Sequence, residues 1–190
     1  TFNSLKAGCG AGENLEYHQN TFTYELWFKN STCATGATYG GFFGIGDSGS
    51  SGSYNWGAHM GITSEGKPFA RINGGKVVSE EVAAADVWHH AVLTYDSKLS
   101  SNKCKLYCDC VYIGSINSTF KDATALRGSL IIGGWNYKGS FGTTTAATPG
   151  DYDEGRFSTT ARSADYVAAV YANMADYVNF VAVEANPATA

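Results

Sequence analysis

From Phe22 to Phe28 apolar and polar residues alternate, with Phe22, Tyr24, Leu26 and Phe28 on one parity and Thr23, Glu25 and Trp27 on the other. Successive side chains of a strand point to opposite faces of its sheet, so this period of two predicts a strand with the first set turned to a core. Gly40 to Ile45 reads as a short apolar strand, followed by a Gly/Ser/Asp-rich loop from Gly46 to Ser53. Trp56 to Thr63 and Pro68 to Asn73 predict a hairpin around Ser64-Glu65-Gly66-Lys67. Val77 to Val82 is a weaker strand and Trp88 to Tyr95 the strongest. After a polar turn, Cys104 to Tyr107 returns antiparallel, and Asp109-Cys110 turns the chain into Val111 to Ile116. Leu130 to Ile132 and Tyr152 to Phe157 are further strands, separated by a long Gly/Thr-rich connection from Trp135 to Gly150. One helix is expected from Ser163 to Asn173, with Ser163 as N-cap and Asp165 near the positive end of its dipole. Its stripe of Val167, Val170, Tyr171 and Met174 is expected to pack on a sandwich edge. Val178 to Val183 reads as a closing strand, leaving residues 184–190 as a frayed tail.

Composition supports an all-β chain: of 190 residues 23 are Gly, 14% are aromatic and only 16% are charged. That length fits one sandwich domain over 1–190, able to bury about 70% of the surface of its unfolded chain. The net charge of −4 without a Lys/Arg cluster argues against a nucleic-acid partner. No run approaches the roughly 20 apolar residues of a membrane-spanning helix, so membrane insertion is not expected. A chain beginning at Thr1 reads as processed or excised, with a removed secretory signal as one history. Five cysteines, Cys9, Cys33, Cys104, Cys108 and Cys110, suit an oxidising compartment, and with it a secreted or cell-surface location. All five are disulfide candidates. Cys104 and Cys108 would stand ~13 Å apart along one strand, so each needs a cross-strand or loop partner such as Cys9 or Cys33.

Candidate chemistry gathers in the loops. Tyr54, Asn55 and Trp56, with Trp135, Asn136, Tyr137 and Phe141, lie in or beside Gly-rich segments. Exposed rings there would offer faces for sugars to stack on while Asn55 and Asn136 bond hydroxyls; the alternative makes Trp56 and Trp135 strand-end core aromatics. Asp47, Asp96, Asp151 and Asp153 are candidate ligands for calcium, a hard ion that takes loop carboxylates and carbonyls. Asp151, Asp153 and Glu154 also raise a glycosidase pair, which needs two carboxylates about 5 to 9 Å apart. His89 and His90, adjacent on a strand, point to opposite faces and do not share an ion; one is expected buried and one exposed. Gly46-Asp47-Ser48-Gly49 resembles a serine-protease nucleophile segment, but no matching His segment precedes it.

Trp88-His89-His90-Ala91-Val92, Lys105-Leu106-Tyr107-Cys108-Asp109, Leu130-Ile131-Ile132-Gly133-Gly134-Trp135-Asn136 and the segment from Asp153 to Tyr171 together resemble the laminin-G-like, concanavalin A-like lectin/glucanase superfamily, in particular a bacterial-type secreted subgroup. The resemblance implies a jelly-roll β-sandwich of two antiparallel sheets with one short helix. For function, the expectation is a non-catalytic recognition module, binding a glycan or a cell-surface protein in adhesion, through the rim loops around Tyr54 to Trp56 and Trp135 to Phe141. The alternative is a structural subunit or spacer of an extracellular assembly that self-assembles through Val178 to Val183, with a glycoside hydrolase a distant third. The chain departs from the family pattern at Cys110, where the hairpin usually has Gly, and at Gly155, which replaces a β-branched residue. Cys110 is therefore expected to reshape its turn or to be held there by a disulfide. Residues 143–149 look like an insertion, and the Glu-x-Asp-x-x-Glu pattern of the superfamily's glucanases is absent.

Overall fold

The computed structural model describes residues 5–7, 20–29, 39–46, 57–119, 130–134 and 148–175. Its strands are β1 (Leu5–Ala7), β2 (Thr21–Lys29), β3 (Tyr39–Gly46), β4 (Gly57–Thr63), β5 (Pro68–Ile72), β6 (Gly75–Val78), β7 (His89–Asp96), β8 (Cys104–Cys108), β9 (Val111–Ile116), β10 (Leu130–Ile132) and β11 (Asp151–Ser158), followed by α1 (Ala164–Ala175). They form two antiparallel sheets, one ordered β1-β10-β3-β4-β5-β6 and the other β11-β2-β7-β8-β9. The jelly-roll sandwich is therefore the fold.

The expected inward face of β2 is the centre of the core. Phe22, Tyr24, Leu26 and Phe28 are buried with Leu93, Tyr95 and Leu106 of their own sheet against Phe42, Phe43, Met60, Ile62 and Ile72 of the other. Phe28 stacks on Phe42 at 4.5 Å, and Tyr24 meets Phe43 at 5.2 Å. Phe42 and Phe43 are sequence neighbours, yet both are buried in the core. The β3–β4 register shifts between Gly41 and Phe43, and such a bulge breaks the strict alternation of faces.

The other parity of β2 is buried as well. Thr23, Glu25 and Trp27 sit beneath α1, whose Val167 packs on Val92 of β7 and Tyr107 of β8. The helix thus covers the outer face of the five-stranded sheet rather than the expected sandwich edge. Trp27 stacks on Tyr171 at 5.8 Å with the rings 7° apart. Val167 is buried and Met174, the last member of the expected stripe, is exposed. Ser163 caps the helix, its Oγ accepting the Tyr166 N–H at 3.2 Å. Ahead of the cap, the Thr21 and Thr23 hydroxyls donate to the Thr159 and Thr160 carbonyls, and Thr23 Oγ1 accepts the Arg162 N–H.

Two turns depart from the sequence reading. The weak strand expected at Val77 to Val82 is the shorter β6, because Asn73 and Gly74 take φ of 42° and 82° and close a two-residue hairpin that pairs Ile72 with Gly75. At Asp109-Cys110 the tight hairpin survives without Gly and without a disulfide: φ is 49° and 59°, and Cys110 is a free thiol. The Asp109 N–H donates to His90 O, and its Oδ1 accepts the His90 N–H, so the carboxylate clamps the turn to β7. Cys104 and Cys108 are also free, both buried; Cys9 and Cys33, their expected partners, lie outside the described residues. The closing strand expected at Val178 to Val183 and the tail at 184–190 lie outside them too.

Gly155 belongs to a bulge in β11, where pairing with β2 shifts between Asp153 and Arg156 and Glu154 takes φ of 48°. A sharper steric demand falls on Gly61 in β4, where an added Cβ would lie 2.1 Å from the Gly40 carbonyl oxygen. The obstacle is backbone of a paired strand and cannot rotate away. Gly61→Ala should therefore lower stability by roughly 1–3 kcal/mol, read as a lower urea midpoint at unchanged m-value.

Candidate functional site

At one end of the five-stranded sheet, three strands bring an aromatic ring, a cation and a carboxylate side by side. Phe28 pairs with His89, so Trp88, just before β7, comes beside Lys29, and Lys29 pairs in turn with Asp151. Lys29 Nζ lies 5.5 Å from the centre of the indole and 3.1 Å from Asp151 Oδ2. Trp88 keeps 41% of its surface exposed, an unusual state for a Trp at the end of a central strand. This end also receives the long connection between β10 and β11. Gly133 N–H donates to Phe42 O, and Thr148 returns the chain by donating its Oγ1–H to Gly41 O at 2.9 Å and its N–H to Gly133 O. Tyr152 then donates its hydroxyl to Thr148 O. The ends of the 135–147 connection are thus fixed on β3 of the opposite sheet, with Thr148 three residues ahead of Asp151.

The expected ligand residues Tyr54, Asn55, Trp56, Trp135, Asn136, Tyr137 and Phe141 lie outside the described residues. Their flanking strands are informative. Residues 47–56 leave and re-enter at the paired Gly46 and Gly57, whereas Gly133 lies at Phe42. Four residues of β3 separate these points, roughly 13 Å. The two stems therefore spring from different places along β3 rather than from one shared corner. Trp88 was not singled out as a binding residue by the sequence reading; its parity with His90 and Val92 was the available signal that it faces outward.

Among the expected calcium ligands, Asp96 and Asp151 lie far apart. Asp96 pairs with Thr21 and Asp151 with Lys29, at opposite ends of β2 and so roughly 26 Å apart. Asp96 Oδ1 accepts the Lys98 N–H in its own turn, and Asp153 Oδ1 accepts the Glu154 N–H. Asp47 lies outside the described residues. Of the carboxylates weighed for glycoside hydrolysis, Asp151, Asp153 and Glu154 are all exposed; Asp151 pairs with Lys29 and Glu154 with Arg156.

Both histidines are buried, against the expectation of one exposed. His89 faces the core beside Phe28, and His90 lies under α1 between β2 and the helix, with Trp27 stacked at 5.0 Å. Beside it Glu25, 4% exposed, receives the Tyr166 hydroxyl at 3.2 Å and pairs with Arg156 at 3.5 Å. His90 Nε2 stands 4.0 Å from Glu25 Oε2, beyond hydrogen-bond reach. Burial lowers the His90 pKa from 6.5 to about 4, Asp109 pulling the other way and Arg156 adding to the burial effect. His59, on β4, is lowered to about 4 by burial and then by Arg71.

The two antiparallel sheets and their strand order define a jelly-roll sandwich domain. A family model described as the concanavalin A-like lectin/glucanases superfamily matches residues 8–168, and the chain belongs to that superfamily. No curated protein matches the sequence. Among solved structures, the Ruminococcus gnavus IT-sialidase CBM40 bound to α2,3-sialyllactose is similar with a TM-score of 0.62 at 17% identity, covering 90% of this chain and 97% of that one. A heptameric SAP-like pentraxin from Limulus polyphemus has a TM-score of 0.60 at 14% identity, covering 80% and 70%. The NanB sialidase of Streptococcus pneumoniae has a TM-score of 0.58 at 20% identity; 78% of this chain matches 23% of that enzyme. At these identities the likeness is one of fold.

The buried histidines set an acid limit. With pKa values near 4 when folded and 6.5 when unfolded, the unfolded chain binds more protons between those values. Their neutral-state burial is therefore free of a protonation penalty above pH 6.5, and stability is lost as pH falls toward 4. At pH 5 each histidine should cost about 2 kcal/mol. Denaturant midpoints at pH 7 and pH 5 should drop less in His90→Phe than in the parent; an equal drop would assign the acid sensitivity elsewhere.

Proposed function

We propose that this domain is a non-catalytic glycan-recognition module, secreted or displayed on a cell surface, that binds sugar at the strand-end group of Trp88, Lys29 and Asp151 together with the 135–147 connection. The observation that carries the reading is the half-exposed indole of Trp88, held at a strand end with a cation and a carboxylate in register beside it. An exposed ring offers an apolar face to the C–H face of a pyranose, while the flanking charged groups bond its hydroxyls. Trp135, Asn136, Tyr137 and Phe141 fall on the connection that leads from β10 into β11, whose first residue is Asp151.

The neighbour that matches nearly its whole length is a carbohydrate-binding module, which supports a recognition role for an isolated sandwich of this size. Adhesion through surface glycans is the biological form of that role. The absence of enzymatic activity is supported by the carboxylates near the group, since Asp151 and Glu154 are exposed and each neutralised by a basic side chain. Inverting or retaining hydrolysis needs one carboxyl of raised pKa facing another across a cleft.

A glycan array of the purified domain tests this reading, run with calcium and again with a chelator. Saturable binding is expected, weakened at least about tenfold in both Trp88→Ala and Trp135→Ala, since a lost stacking ring removes more than 1.4 kcal/mol. Loss in chelator would add an oxygen-ligated cation to the site. A flat array in both conditions would instead favour the scaffold or protein-adhesion reading, and hydrolysis of a bound glycan abolished by Asp153→Asn would make the domain an enzyme.

A further inference from the structure

Where β8 turns into β9, a ring nitrogen of His89, the Cys108 sulfur and an Asp109 carboxylate oxygen all lie within 4.8 Å of one another. The three come from two adjacent strands and their turn, and His89 and Asp109 are already oriented by their surroundings. His89 Nε2 lies 3.0 Å from the Ala84 carbonyl oxygen, and Nδ1 lies 2.6 Å from Asp109 Oδ2. Both neighbours are hydrogen-bond acceptors, whereas a neutral imidazole carries a single N–H. With that hydrogen donated to Ala84 O, Nδ1 turns a lone pair toward Asp109 Oδ2, an arrangement satisfied either by a proton shared between the two or by a bound cation. A histidine whose far nitrogen donates to a backbone carbonyl is the usual form of a metal ligand. Asp109 is prepared in the same way: its Oδ1 is occupied by the His90 N–H at 2.8 Å, which aims Oδ2 at His89.

We propose that His89, Cys108 and Asp109 bind a divalent transition-metal ion of the zinc type. The donor set excludes the hard ions: calcium and magnesium take oxygen ligands alone, while one nitrogen, one thiolate and one carboxylate suit zinc and its borderline-soft neighbours. Charge agrees, because a thiolate and a carboxylate together neutralise a divalent ion at a half-buried place. Size agrees as well. Tetrahedral zinc, with metal–ligand distances of about 2.0–2.3 Å, separates its ligand atoms by roughly 3.3–3.8 Å. The 2.6 Å His89–Asp109 contact would open by less than about 1 Å, and ligand atoms as far as 4.8 Å apart would close by roughly 1.0–1.5 Å. Three protein ligands leave a fourth position for water. The site is distinct from the glycan group proposed at Trp88 and stands or falls without it.

The test uses the reduced, chelator-stripped full chain titrated with Co²⁺, a spectroscopic substitute for Zn²⁺. Stoichiometric uptake with tetrahedral d–d absorption and a thiolate charge-transfer band is expected, both displaced by Zn²⁺. The charge-transfer band should vanish in Cys108→Ser, and affinity should fall at least about tenfold in His89→Gln and in Asp109→Asn. In the unsubstituted protein Zn²⁺ should raise Tm, since an ion that binds only the folded state stabilises it; this reading does not depend on any variant folding. No cobalt spectrum together with no zinc-dependent Tm shift would overturn the proposal and leave the group a clasp for the turn. A charge-transfer band that survives in Cys108→Ser and disappears in Cys110→Ser would overturn it equally, by moving the thiolate off the proposed triad.

Discussion

β2 runs between the opposite sheet and the helix with both faces covered, its aromatic parity against β3 and its polar parity beneath α1. The inward residues Phe22, Tyr24, Leu26 and Phe28 each contribute about 1.5–3 kcal/mol by leaving water. The outward residues do the opposite unless they find partners, because an unpaired buried polar group costs several kcal/mol. Thr23 bonds the Thr160 carbonyl and the Arg162 N–H, and Glu25 bonds Tyr166 and pairs with Arg156. Those partners all come from β11 and the turn-helix unit after it. The place of α1 is therefore dictated by what β2 must satisfy on its outer face.

A helix of 12 residues is marginal by itself, and α1 owes its stability to that face. Val167 fills the space between Val92 and Tyr107, and Tyr171 extends the stack of Trp27 and His90. Covering this face is also what makes both histidines of β7 interior residues. One is left in an aromatic environment where burial opposes its charge, and the other meets a carboxylate at the core's end. Alternation along one strand thus separates a silent, neutral imidazole from one equipped to hold a cation.

Most of the strands were legible because alternation is local: the parities of β2, β4, β7 and β9 can be read from neighbouring residues alone. What escaped depended on contacts remote in sequence. Nothing near Thr23 or His90 announces that a helix 70 or more residues later will cover them, so an outer parity of Thr, Glu, Trp and His read as half-exposed. The bulge that turns both Phe42 and Phe43 inward is likewise a property of the β3–β4 pairing. Asn73-Gly74 is a different case, a strong local hairpin signal masked by the apolar Val77-Val78 that follows it. At Asp109-Cys110 the family's Gly is replaced by Cys110, which itself takes φ of 59°, while Asp109, a residue that tolerates the left-handed region, clamps the turn with its carboxylate. For the candidate site, the chemistry of loop aromatics could be named from sequence but not their grouping, since only strand register shows that residues 47–56 and 135–147 spring from separate points.

Register also explains why a recognition group at Trp88 would be well defined. A slip of one residue between β2 and either neighbour would exchange the buried aromatic parity for the polar one. With both faces of β2 enclosed, that exchange would break the core and the Glu25 network together. Trp88, Lys29 and Asp151 are consequently held across three strands by the same packing that holds the sandwich. The adjoining connection is tied at both ends through Gly133 and the buried Thr148. A sugar meeting a ring already fixed on a strand leaves little of the binding free energy to be spent on ordering the protein.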